Sequence, residues 1–176
     1  MELTKKEKTA KYIVYCLLIA GAALLQNVGG LFPQLSTARC FLLIPVVIIL
    51  GIDEDEKNAA LMGLLGGLLW DIFSVQHMGF NCIYLMVMCY ISSALVSYIF
   101  RNTFWVSYIS TIIPVFLYSV LYWLMFIAAR RTQGSISAFF TFYLPCAIYT
   151  CAVSFLVCAV LKVIKKKLNK ETAIMQ

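Results

Sequence analysis

The sequence predicts an all-α integral membrane protein, a single transmembrane domain over residues 1–176 built as a bundle of six spanning helices. Three observations carry this. Hydrophobic residues make up 62% of the chain and charged residues 12%, with a mean hydropathy of +0.90. Soluble domains are about 45–50% apolar and about 25% charged, so a water-exposed surface cannot be assembled from this composition. The apolar residues fall into long runs separated by short polar turns. The net charge is +6, and the basic residues gather at the two ends, with Lys5, Lys6, Lys8 and Lys11 before the first run and Lys162, Lys165, Lys166, Lys167 and Lys170 after the last. Basic clusters flanking apolar segments suit a membrane face rich in anionic lipid, and no nucleic-acid role is expected of them.

The first span covers about 12–32, carries no charge and is broken by Gly29, Gly30 and Pro33. It is expected to stay as an anchor, since no small-residue cleavage site precedes a soluble region. The second run, Phe41–Ile52, has a dozen residues. Extended back to Ser36 it reaches about seventeen, the lower limit for a crossing, with Arg39 snorkelling to the interface and Pro45 inside. The turn DEDEK (53–57) is a solvated, charged loop that sets acids at the start of the next helix, with a cation or partner site as the alternative. The third span is 59–78 and the fourth 80–100, closed by Arg101 and Asn102. The fifth, 104–129, has Trp105 and Trp123 near its ends and Pro114 as an expected kink. The sixth, 138–161, contains Pro145.

Six crossings bring both termini to one side. Eleven of the 14 Lys and Arg residues then lie on that side, against Arg39, Arg130 and Arg131 on the other. The positive-inside rule therefore makes both termini cytoplasmic. Five crossings, without the short second run, would leave one lysine cluster outside.

Within the third span stands its one acid, Asp71, about 18 Å along the helix from Ala59 by helical rise. Ala59, Gly63, Gly67 and Asp71 are four apart and share a face, where small residues admit a neighbouring helix closely. A charge among lipid tails costs roughly 2.5–3.5 kcal/mol, so Asp71 is expected to face protein or a wet pocket. Two readings stay open: a structural or partner-organising anchor, hydrogen-bonded to Ser, Tyr or Trp of other helices, or a group that binds a ligand or ion. The one histidine, His77, is six residues on and about 240° around the helix, so it does not share that face. No HExxH, GxSxG, P-loop or paired carboxylate occurs, and the seven cysteines show no CxxC spacing. They read as packing residues. Neither catalysis nor a metal or cofactor is predicted. Ser92, Ser93 and Ser97 read as packing or interhelical hydrogen-bonding groups. In FYLPCAIYT, Pro145 frees a carbonyl and Tyr149 could reach a polar group one turn later.

Three stretches resemble the MreD family of bacterial rod-shape determination: CFLLIPVVIILGI before its polar turn, GLLGGLLWDIFSVQHMGF, and LPCAIYTCAVSFLVCAVLKVIKK with its LP…Y pattern and basic end. The matching positions are Gly63, Gly67, Asp71, Gly79, Pro145 and Tyr149, while Ala38-Arg39-Cys40 stands where family members often carry a proline followed by a polar residue. The resemblance implies a non-enzymatic scaffold in the bacterial inner membrane. It would bind MreC and work with RodA, a class B penicillin-binding protein and MreB filaments in lateral wall synthesis. Lys162, Lys165, Lys166 and Lys167 are then expected to meet anionic lipid or filament proteins. The implied fold is also similar to the substrate-capturing subunits of energy-coupling-factor transporters, which makes capture of a vitamin-type small molecule the alternative function.

Overall fold

The protein is described by a computed structural model over residues 5–28, 39–74, 79–99, 103–128 and 135–174, without the side chains of 5–7, 135 and 167–174. Among these residues it is helix and turn with no strand. The helices are α1 (Lys5–Asn27), α2 (Leu43–Gly51), α3 (Glu56–Phe73), α4 (Phe80–Tyr98), α5 (Phe104–Trp123), the short α6 (Ser135–Ala138) and α7 (Leu144–Ile174). A π-helical turn, Leu124–Ala128, prolongs α5, and another, Phe139–Tyr143, joins α6 to α7, so that six continuous rods result. The second π turn ends just before Pro145. That ring has no N–H to offer and crowds the carbonyl of Thr141, and the wider turn relieves both. The expected breaks at Gly29, Gly30 and Pro33, and at Arg101, Asn102, Arg130 and Arg131, lie outside the described residues, as do Ser36, His77 and Met78.

Four of the rods are long and apolar enough to cross a membrane: Lys8–Asn27, Phe80–Tyr98, Phe104–Ala128 and Ile136–Lys166. The other two differ from them for separate reasons. Helix α3 carries Glu56, Lys57 and Asp71 within its 18 residues. Helix α2 has nine residues, about 14 Å at 1.5 Å per residue, roughly half of a bilayer core.

The shortest of the six rods, α2, is the centre of the molecule. Every residue of α2, LIPVVIILG, is buried, and it packs against α1, α3, α4, α5 and α7. A helix that is apolar on every side has no polar face to turn to water, so surrounding it satisfies all of it. Where the sequence reading draws a continuous segment from 36 to 52, the structure has non-helical backbone at 39–41, a turn at Leu42, and helix only from Leu43. Unwound backbone at membrane depth needs partners from the protein. It has them here. The Arg39 N–H meets Cys146 Sγ at 3.1 Å, the Phe41 N–H donates to Thr150 Oγ1 at 3.0 Å, and the Leu43 N–H donates to Gln26 Oε1 at 2.8 Å.

Candidate functional site

Helices α3 and α4 share the most extensive contact of any helix pair described. Glycine makes it possible. A Cβ added at Gly63 would lie 2.8 Å from the Leu85 carbonyl carbon and 2.9 Å from Met86 Cα, and one at Gly67 would lie 2.6 Å from the Asn81 oxygen and 2.7 Å from the Cys82 nitrogen. These are backbone atoms, so the two chains touch where the side chains would have been. Gly66 faces the other way, with Val47 Cγ2 of α2 at 2.6 Å from its would-be Cβ.

One turn beyond Gly67, the Asp71 side chain closes the hairpin. It is 4% exposed. Its Oδ2 accepts the backbone N–H groups of Gly79 (2.9 Å) and Cys82 (3.1 Å), and its Oδ1 accepts Asn81 Nδ2 at 2.8 Å. Gly79 is the N-cap of α4, at φ 95°, a left-handed conformation that a residue with a Cβ adopts only under strain. The first amides of a helix lack intrahelical acceptors and form the positive end of its dipole. A carboxylate from the preceding helix therefore caps α4. For this, α3 must stop early: its helix ends at Phe73, short of the expected 78, with the Ser74 N–H on the Asp71 carbonyl at 3.1 Å. The direct partners of Asp71 are thus two backbone amides and an asparagine, where the sequence suggested Ser, Tyr or Trp.

A tyrosine enters one step further out. The Tyr118 hydroxyl on α5 donates to Asn81 Oδ1 at 2.8 Å, tying a third helix to the clasp. Its ring stacks on Trp70 (centroids 5.1 Å apart) and meets Phe41 and Tyr84 edge-on at 5.2 and 5.3 Å. The Tyr84 hydroxyl in turn donates to the carbonyl of Pro114, inside α5.

Pro145 and Tyr149 lie on the last long helix. Tyr149 packs on the core from α7. Their neighbours Cys146 and Thr150 receive the 39–41 backbone.

The opposite end of the bundle is charged. Lys11 of α1 pairs with Glu54, whose Oε2 also accepts the Tyr12 hydroxyl at 3.2 Å. Lys165 of α7 pairs with Asp53 at 2.6 Å and donates to the Ile49 carbonyl near the end of α2. Ser93 Oγ of α4 donates to the Glu54 carbonyl at 2.6 Å. Lysines from near both chain ends thus hold one acidic turn. This corrects part of the expectation for the basic tail. Lys165 is 7% exposed and turned inward, where Asp53 neutralises it and the Ile49 carbonyl accepts its hydrogen bond. Lys162 lies half-buried over the Phe104 ring, Lys166 is exposed, and the Lys167 side chain is outside the described residues. Among the described residues, no group of His, Cys, Asp and Glu is placed to hold a metal ion.

Fold and site together define a class: a small, multi-pass helical membrane protein in which a buried carboxylate locks a glycine-notched hairpin around a short central helix. The comparison with protein families is specific. A family model described as rod shape-determining protein MreD matches residues 6–168, and the chain belongs to that family. Membership implies a role in rod-shape determination, and the family is a shape-determining one, not a known family of enzymes. No curated protein and no solved structure matches the chain.

Proposed function

We propose that this chain is a non-catalytic scaffold of the lateral cell-wall machinery, holding an MreC-like membrane protein and, through it, RodA, a class B penicillin-binding protein and MreB. It crosses the bacterial inner membrane six times with both termini in the cytoplasm, and the likeness to energy-coupling-factor substrate subunits belongs to this same reading. The observation that supports it best is the match of nearly the whole chain to a shape-determining family. The direction of the polar groups agrees with it: the intramembrane acid is engaged by three donors of the protein's own α4 and serves to hold the hairpin. Wide apolar surface, including Leu61, Leu65 and Leu68 of α3 and Ile83, Val87 and Ile91 of α4, faces outward on the clasped hairpin. In a bilayer such a surface is open to lipid or to a partner's single membrane helix.

The test is affinity capture of the tagged protein from rod-shaped cells in mild detergent, with shape scored after depletion. Recovery of the MreC-like partner, together with rounding of depleted cells, supports the scaffold. Absence of both removes it.

A further inference from the structure

At the end of the bundle away from the charged turn, a cavity of about 240 Å³ opens beside the ends of α1 and α3 and the 39–41 segment. Trp70 and Tyr118, stacked as described, line it together with Phe41. Arg39, Gln26 and Asn27 also border it, and none of the described lining residues is acidic. The Arg39 side chain is exposed, and the ion pairs among the described residues, Lys11–Glu54 and Lys165–Asp53, do not involve it. What fixes Arg39 in place is its backbone N–H on Cys146. An arginine that only snorkels to an interface needs no such surroundings. This one borders a recess walled by aromatic rings.

Each part of the lining selects a chemistry. A guanidinium without an acidic neighbour binds a carboxylate or phosphate through paired, charge-assisted hydrogen bonds. Aromatic faces take a flat or ring-shaped body in offset stacking. Side-chain amides at the rim fix orientation. The volume lies just below the range of drug-sized pockets, roughly 300–1,000 Å³, and suits a single substituted ring. We propose that this cavity binds a small organic anion whose carboxylate or phosphate meets Arg39 while its ring lies against Trp70 and Tyr118. Because Tyr118 holds Asn81 and Asn81 holds Asp71, an occupant also steadies the α3–α4 clasp.

The chain has three tryptophans, so Trp105→Phe with Trp123→Phe leaves Trp70 as the sole indole reporter in the full-length protein. The probe is 4-nitrobenzoate, titrated against Trp70 fluorescence in detergent, with nitrobenzene and inorganic phosphate as controls. Saturable quenching is expected for the nitrobenzoate alone. Arg39→Gln should weaken it by roughly tenfold or more and Arg39→Lys by less, since the lysine keeps the charge but loses the fork. Competition by glucose 6-phosphate would assign the site to sugar phosphates as well, and its failure to compete would assign it to aromatic anions. The proposal is overturned by the absence of saturable quenching, by equal quenching with nitrobenzene, or by an Arg39→Gln protein of unchanged melting temperature that binds as the parent does.

Discussion

Around the Asp71 carboxylate, three donors converge from the first turn of α4, and none of them is a cation. Backbone amides at a helix start supply the positive potential that a lysine or arginine would otherwise bring. Asp71→Ala would strand all three donors in a buried site, and a loss of the order of 3 kcal/mol is expected in reversible unfolding in micelles. Asp71→Asn keeps one acceptor oxygen and should fall between the two; a variant as stable as the parent would show that the carboxylate is not the clasp. Tyr118→Phe removes the donor to Asn81 and should cost about 1–3 kcal/mol by the same measurement. The Gly63, Gly67 and Asp71 face was legible in the sequence because the helical period places every fourth residue together. Asn81 and Tyr118 were not. They lie on other helices, and only the fold brings an asparagine ten residues on and a tyrosine on α5 to the same acid. The nearest signal was Asn81 itself, a polar residue beginning an apolar run just after a glycine.

At the scale of helices, glycine position separates backbone contact from side-chain contact. Gly63→Ala and Gly67→Ala drive a methyl group into the backbone of α4, whereas Gly66→Ala meets the tip of Val47. The first two should force the hairpin apart and cost about 1–3 kcal/mol, with Gly66→Ala milder, read as a ranking of melting temperatures. Equal effects at all three would contradict the close α3–α4 approach. Gly66 escaped the sequence reading because it lies off the four-residue stripe and serves a different neighbour. The role of α2 escaped it for another reason. A length criterion treats twelve apolar residues as a deficient crossing, while the informative property was that no side of the run is polar. Within LPCAIYT, Cys146 and Thr150 receive the unwound strap, and their part is not legible in the sequence because the need for such partners arises only where residues 39–41 leave the helix.

Across the whole molecule, the lysines near the two chain ends divide into those that fasten and those that face outward. Lys165→Met removes the ligand of both Ile49 and Asp53 and should lower the melting temperature, while Lys166→Ala, at an exposed position, should leave it unchanged. The shared turn also makes a prediction about topology. In a cysteine-free background, single cysteines at Lys8 and Asp55 should be labelled by a membrane-impermeant reagent from the same face of the membrane. Labelling from opposite faces would refute the arrangement in which Lys11 and Lys165 hold one turn.

The complete enclosure of α2 has a consequence for biogenesis. A ribosome delivers this helix second, yet α3, α4, α5 and α7, which cover it, are synthesised afterwards. Until they arrive, a segment about half as long as the bilayer is thick must be sheltered with its strap unpaired, because Cys146 and Thr150 are still more than a hundred residues from being made. The nascent chain thus passes through a stage in which its future core is its least settled part, between the emergence of α2 and the docking of α7.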